Sequence, residues 1–107
     1  MPLPPELSAD ARRAALAKAA AARRQRAEMK DKLKMGSFTL RELLEQSERD
    51  EVVGKMKVVA VLESLPGVGK VRARRLMEEL KISESRRVRG LGDQQRKALL
   101  KQFPASP

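Results

Sequence analysis

The sequence predicts an all-α protein, in which a long N-terminal helix precedes a compact domain of short helices. Apolar residues recur at helical spacing, and capping residues, glycines and prolines divide the chain into helical segments. Only residues 57–65 have the valine content of a strand, and no second segment could pair with them. We therefore divide the 107 residues into an extended tail (1–8), a long basic helix (9–35) and a helical domain (36–104).

The predicted long helix has clear boundaries. The three prolines of residues 1–8 exclude a helix there, Ser8 is a suitable N-cap, and Gly36 ends the helical pattern. Residues 9–35 contain neither glycine nor proline and would form a helix about 40 Å long. Because its apolar face is mostly alanine, which buries little area, we expect the N-terminal half to project from the domain.

The first helices of the domain are indicated by their caps. Thr39 and Glu42 form a capping box before a short leucine-bearing helix, and Asp50 caps the segment that follows. Residues 52–56 are compatible with a helical turn or with an extended link. Residues 57–65 are predicted to be a helix, which the next proline ends.

The last two helices flank a loop. One is predicted to begin at Gly69 or Lys70, and residues 82–92, which contain two glycines, form the loop after it. Asp93 is predicted to cap a final helix that runs to Phe103 and ends at the following proline. The helix before the loop extends to about Leu80, and its predicted buried face consists of Val71, Ala73, Leu76, Met77 and Leu80.

The composition excludes several classes of function. Without cysteine there is no disulfide or thiolate metal site, and without histidine the commonest general base and zinc ligand are missing. No segment is long and apolar enough for a signal peptide or a membrane span. We therefore expect no cofactor, no membrane partner and no enzymatic activity, and a cytoplasmic location is compatible with these features.

The net charge of +10 is distributed unevenly along the chain. Residues 1–35 carry nine basic and four acidic side chains, residues 36–65 four and six, and residues 66–107 eleven and four. Two basic flanks are typical of a protein that touches an anionic polymer on two faces, and a merely solvated surface is the alternative. Since Phe38 and Phe103 are the only aromatic residues, base stacking on single strands is disfavoured and duplex DNA is favoured.

Residues 65–70, with the sequence Leu-Pro-Gly-Val-Gly-Lys, are the most informative segment. Glycines permit a tight turn, and free backbone N–H groups at the start of the next helix bind an anion. A nucleotide-binding P-loop is excluded because Ser64 replaces its first glycine and Val71 its magnesium-binding hydroxyl, whereas a plain turn between helices stays open. The candidate phosphate contacts are Pro66, Gly67, Val68, Gly69 and Lys70, with Arg72 and Arg74 on the following helix.

A second cluster, residues 86–92, has the sequence Arg-Arg-Val-Arg-Gly-Leu-Gly. Its three arginines could bind adjacent phosphates, or one of them could pair with Glu84 or Asp93. We expect Val88 and Leu91 to anchor this loop in the core, so that the arginines point outward. The candidate contacts here are Arg86, Arg87, Arg89, Gly90 and Gly92, and the long helix offers Arg12, Arg23 and Arg24 for a second contact.

Together these segments resemble the actinobacterial integration host factor family. The resemblance rests on residues 55–58, 62–71 and 86–92, and the proline-rich start and basic helix extend it over nearly the whole chain. It implies a helix-two-turns-helix domain and a nucleoid-associated protein that binds duplex DNA largely independently of sequence and bends or compacts it. It also implies DNA contacts from both clusters, a recombinase acting on the same DNA as a further partner, and a monomeric protein.

Two alternative functions stay open. A protein of similar fold could bind RNA or the ribosome, since similar domains occur in a small-subunit ribosomal protein. A DNA lyase is the other alternative, with Lys55, Lys57 or Lys70 as its nucleophile, although the chain lacks the aromatic residues of a base-binding pocket.

Overall fold

The computed structural model describes residues 8–103, and six α-helices lie in that range. The only extended pairing between residues 8 and 103 is a single antiparallel bridge between Lys57 and Arg87. The all-α prediction is confirmed, whereas the predicted proline-rich tail and the stop at Pro104 fall outside the described residues, except for Ser8. The elements are α1 (Ala9–Met35), α2 (Leu40–Ser47), α3 (Glu51–Gly54), α4 (Val58–Ser64), α5 (Gly69–Glu79), a 3₁₀ turn (Val88–Gly90) and α6 (Asp93–Gln102).

Both ends of α1 have the expected caps. The Ser8 hydroxyl accepts a hydrogen bond from the N–H of Ala11 (3.3 Å). Gly36 adopts a φ of 77°, and its N–H donates to the carbonyl of Leu33 (3.1 Å). Since Met29 and Leu33 are the only buried residues of α1, its N-terminal half projects from the body of the protein.

The core lies between the C-terminal part of α1 and the helices α2, α4 and α5. Leu33, Leu43 and Leu62 are fully buried in one apolar cluster, to which α5 adds Met77. Each buried aliphatic side chain contributes about 1.5–3 kcal/mol, so this cluster determines how α1 is placed against α4. The smaller elements complete the cluster with Val53, Val88, Leu91 and Leu99.

The structure corrects two of the predicted details and decides a third. Val71 is 73% exposed and not buried, because the buried face of α5 is set by Ala73 and Val71 lies about 200° around the helix from it.

Asp93 is the first residue of α6 and not its cap. The cap is Gly92, whose N–H donates to the side chain of Gln95 (3.0 Å). The segment after Asp50, for which a turn or an extended link was possible, is the short helix α3.

The carboxylate of Asp50 connects three helices. One oxygen accepts from the N–H groups of Val52 (3.0 Å) and Val53 (3.3 Å) and caps α3. The other accepts from the side-chain amides of Gln25 on α1 (2.6 Å) and Gln46 on α2 (3.2 Å). Partial burial opposes ionisation, but the four hydrogen bonds outweigh it and hold the pKa of Asp50 below its ordinary value.

Replacing Asp50 with alanine should therefore destabilise the fold. We expect Asp50→Ala to lower the free energy of unfolding by about 1–2 kcal/mol, since it removes an N-cap and leaves two amides without their acceptor. Urea denaturation followed by circular dichroism measures the loss. Asp31→Ala, an exposed aspartate of α1, is the matched control and should change stability little. Equal stability of the two variants would contradict this role of Asp50.

The contribution of Asp50 should also depend on pH. Because its folded-state pKa lies below the ordinary 3.8, the stabilisation is complete above pH 3.8 and is lost as the pH falls through the lower folded-state value. The difference in unfolding free energy between the wild type and Asp50→Ala should thus be constant near neutrality and shrink in acid. Urea titrations at a series of pH values measure it, and a difference that persists undiminished in strong acid would contradict the assignment.

Candidate nucleic-acid interface

The connection between α4 and α5 is a tight turn with two positions that favour glycine. Gly67 and Gly69 have φ angles of 74° and 68°, and a Cβ on either residue would meet no atom within 4 Å. The constraint is therefore conformational and not steric, because residues with a side chain disfavour the left-handed region. The space in front of both glycines is open to a ligand.

Backbone donors are left free at this turn. The N–H of Val68 donates to the carbonyl of Leu65 (3.2 Å), and the Val68 side chain is buried. Between residues 8 and 103 there is no hydrogen-bond acceptor for the N–H groups of Gly67, Gly69 and Lys70. Three free donors beside the positive end of the α5 dipole can bind an anionic oxygen.

The arginine cluster lies on a loop that is anchored in the core. Val88 and Leu91 are buried, as the sequence predicted, while the arginines around them are exposed. The guanidinium of Arg87 donates to the backbone carbonyl of Lys55, which lies just after α3. This contact fixes Arg87 against a second segment of the chain and not only within its own loop.

The other two arginines of the loop also lie close to backbone. The guanidinium of Arg86 donates to the carbonyl of Gly90 (2.8 Å). Arg89 lies against α3, where its Nε would be 2.9 Å from a Cβ at position 54, so that Gly54 leaves the room it occupies. Hydrogen bonds therefore fix Arg86 and Arg87, and Arg89 packs against Gly54, although all three arginines are exposed to solvent.

The antiparallel bridge sets two cations side by side. Two backbone hydrogen bonds of 2.9 Å join residues 56–58 to residues 86–88 and make Lys57 and Arg87 the directly opposed pair. Like charges at opposed positions destabilise such a pairing. An anion placed between the two side chains would offset this repulsion.

Lys57 and Arg87 belong to a hollow that is strongly basic. This central hollow has a volume of about 310 Å³ and lies between α1, the start of α4 and the arginine loop. Five cationic side chains line it and no carboxylate does. The lining residues are Arg26, Lys30, Lys55, Met56, Lys57, Ala60 and Arg87.

Two further hollows continue the central hollow along α1. The hairpin hollow, of about 330 Å³, shares Lys30 and Ala60 with it and reaches Gly69 and Lys70. The helix hollow, of about 340 Å³, shares Arg26 and Lys55 with it and extends to Lys18 and the alanines of α1. Three hollows with shared walls form one surface, which we call the basic surface. It joins the glycine turn to the arginine loop.

A stripe of cations on α1 forms one wall of the basic surface. Arg26, Lys30 and Lys34 follow one another at intervals of four residues, which places them on one side of the helix. Arg23 falls on the same side by helical geometry, and it is exposed. The buried residues Met29 and Leu33 hold this part of α1 against α4 and fix the direction of the stripe.

Comparison with known proteins assigns the family. The S13-like H2TH domain profile matches residues 33–103. The integration host factor of Mycolicibacterium smegmatis is 60% identical over 95% of this chain and 97% of its own length, and that of Mycobacterium tuberculosis is 61% identical over 92% and 94%. The chain belongs to the integration host factor family. A third relative in this family, from Streptomyces coelicolor, is 59% identical over 96% of this chain and 95% of its own length.

A solved member of the integration host factor family has the same fold. It is described as sIHF bound to an 8-base-pair palindromic DNA, and it aligns with a TM-score of 0.79 at 60% sequence identity. The alignment covers 80% of this chain and 97% of that one. The expected helix-two-turns-helix domain and the resemblance noted from the sequence are therefore confirmed.

In the present chain the candidate residues that the sequence suggested fall into three groups. Gly69, Lys70 and Arg87 line the basic surface, with Pro66 and Gly67 exposed in the adjoining turn. A second group lies away from its three hollows. In it, Arg74 pairs with Glu84 (2.9 Å), Arg72 lies 5.9 Å from the Phe103 ring, and Gly92 caps α6. The remaining candidates on α1, Arg12 and Arg24, are exposed, and Arg24 points away from Arg26.

Six cations of the basic surface were absent from the candidates derived from the sequence. They were overlooked because they are scattered over two segments that only the fold brings together. A signal was present in α1, where Arg26, Lys30 and Lys34 repeat at helical spacing beside the apolar pair Met29 and Leu33. The overlooked residues are Lys18, Arg26, Lys30, Lys34, Lys55 and Lys57.

Spanning helices and metal-binding groups are not found between residues 8 and 103. No helix there is long and apolar enough to cross a membrane, and no three histidine, cysteine, aspartate or glutamate side chains are grouped to hold a metal ion. Of the lysines considered as lyase nucleophiles, Lys55 is paired with Glu51 (2.9 Å), and Lys57 and Lys70 line open hollows.

The glycine turn gives a direct test of its conformation. Gly67→Ala should lower the free energy of unfolding by about 1–2 kcal/mol, because alanine is strained at a φ of 74° although nothing would clash with its Cβ. Gly67→Asn is the matched control and should cost less, since asparagine tolerates the left-handed region. Urea denaturation measures both, and an asparagine variant less stable than the alanine variant would contradict the assigned geometry.

Proposed function

We propose that the protein binds duplex DNA through its phosphates, largely without regard to sequence, and that it bends or compacts the DNA as an architectural protein of the nucleoid. The observation that carries this proposal is the central hollow, where five cations converge without a carboxylate. A polyanion would relieve their repulsion and release its own counterions on binding. The DNA-bound state of the related solved structure supports the same partner.

The glycine turn and the cations would bind phosphates in different ways. The free N–H groups of Gly67, Gly69 and Lys70 are neutral, fixed donors that suit one phosphate oxygen each. The side chains of Lys30, Lys57 and Arg87 supply charge. Phosphate contacts fix the position of a protein on DNA but carry no sequence information, which agrees with sequence-tolerant binding.

The protein is better suited to duplex than to single-stranded nucleic acid. Proteins that bind single strands stack bases on exposed aromatic side chains. Phe38 and Phe103 are the only aromatic residues of the chain, and both are packed against the core. The basic surface itself contains no aromatic side chain to stack a base.

The proposed activity is binding and not catalysis. The lyase alternative needs a lysine nucleophile beside a pocket for a flipped base. Lys55, Lys57 and Lys70 lie on the open basic surface, so we assign them to phosphate contact. Borohydride trapping on abasic duplex DNA is expected to give no covalent adduct, and an adduct lost in a Lys→Gln variant would overturn this assignment.

The electrostatic mechanism predicts a steep dependence on salt. With roughly five phosphates neutralised, the slope of log affinity against log salt concentration should be about −4 to −5. Fluorescence anisotropy with a labelled duplex measures it. A slope near zero would contradict phosphate neutralisation, and tighter binding to structured RNA than to duplex DNA of equal length would favour the RNA alternative.

Individual cations of the central hollow should contribute to that slope. Lys30→Gln and Arg87→Gln should each weaken binding to all duplex sequences alike and reduce the magnitude of the slope by about one unit. Arg41→Gln removes the same charge from a hollow between α2 and α6 that shares no residue with the basic surface. This control variant should bind nearly as the wild type, and equal losses in all three variants would show that only net charge matters.

A further inference from the structure

Three carboxylates line the basic surface: Asp31 and Glu63 at the hairpin hollow and Glu51 at the helix hollow. Of these three, only Glu51 forms a salt bridge within residues 8–103. Glu51, the first residue of α3, forms an ion pair with Lys55 (2.9 Å) one turn later. The side chain of Glu51 is 65% exposed and that of Lys55 is 59% exposed. A ligand at the basic surface can therefore reach both partners of the ion pair. Lys55 also lines the central hollow, where it is the only one of the five cations in a salt bridge within residues 8–103.

Other cations surround Glu51 besides Lys55. Lys18 of α1 lies on the opposite wall of the same helix hollow. The guanidinium of Arg89 lies against Gly54, three residues after Glu51 on α3. Lys55, first by its hydrogen bond and then by its charge, holds the pKa of Glu51 below its ordinary value, and Lys18 and Arg89 add to that effect. Glu51 is therefore ionised at neutral pH.

We propose that Glu51 competes with phosphate for Lys55 and thereby limits the affinity of the basic surface for duplex DNA. This inference rests on the proposed function. An exposed ion pair four residues apart contributes little to stability, so the fold does not depend on it. The ion pair acts on binding by electrostatics. The carboxylate of Glu51 takes the place beside Lys55 that a phosphate would otherwise take, and it repels a phosphate that approaches the neighbouring cations.

Neutralising this carboxylate should tighten binding. We expect Glu51→Gln to bind a short duplex about two- to fivefold more tightly than the wild type at low salt. Because Lys55 is then free to release an additional counterion from DNA, the log–log salt slope should steepen by up to about one unit. Fluorescence anisotropy at roughly 50 mM and 200 mM salt measures both effects.

A matched control separates this effect from a change in net charge. Glu45→Gln removes the same charge from α2, at the hollow between α2 and α6, which shares no residue with the basic surface. It should leave the affinity nearly unchanged. A gain of equal size in Glu45→Gln and Glu51→Gln would overturn the proposal, because net charge alone would then explain the result.

A double-mutant cycle tests whether Lys55 carries the effect. In a Lys55→Gln background, Glu51→Gln should give less than half of the gain in affinity that it gives in the wild type, and an undiminished gain would overturn the proposed competition.

Glu51→Ser is a second neutral variant in case the glutamine variant is unstable, and urea denaturation confirms that each variant folds. If the wild type binds duplex DNA and neither neutral variant binds more tightly, this inference fails alone. If the wild type does not bind at all, the proposed function fails.

Discussion

The repulsion among the cations of the central hollow is the constraint that the rest of the structure must satisfy. A pair of like charges at short range costs about 0.5–1 kcal/mol in water, and several such pairs meet around this hollow. Each fully buried leucine contributes about 1.5–3 kcal/mol, and Leu33, Leu43 and Leu62 are only part of the core. The apolar cluster therefore outweighs the repulsion and keeps the cations together in the absence of a partner.

Specific backbone and side-chain contacts decide where the cations lie. The bridge between residues 56–58 and 86–88 places Lys57 opposite Arg87, and the Lys55 carbonyl fixes the guanidinium of Arg87. On the other side, the burial of Met29 and Leu33 and the hydrogen bond from Gln25 to Asp50 attach α1. A side chain whose position is already fixed loses less conformational entropy when it binds a phosphate.

The local parts of this structure could be predicted from the sequence, because they depend on a few neighbouring residues. The capping box of Thr39, the Asp50 cap and the turn at Gly67 and Gly69 each follow from side chains or backbone freedom within one turn. The burial of Val71 was predicted wrongly. The buried face of a helix is defined by several apolar residues at helical spacing, and a single apolar residue does not show on which face it lies. The central hollow could not be predicted, because it depends on how α1 lies against α4, which no local pattern specifies.

The placement of the cations bears on how the protein would deform DNA. The stripe from Arg23 to Lys34 covers twelve residues of α1, or about 16 Å, and the glycine turn and the arginine loop lie beside its C-terminal half. In the proposed complex these groups would neutralise phosphates on one side of a duplex. The phosphates on the far side would continue to repel one another, which would favour bending of the DNA toward the protein at a cost of a few kcal/mol. Neutralisation of phosphates by the basic surface would thus bend DNA without the insertion of a side chain between bases.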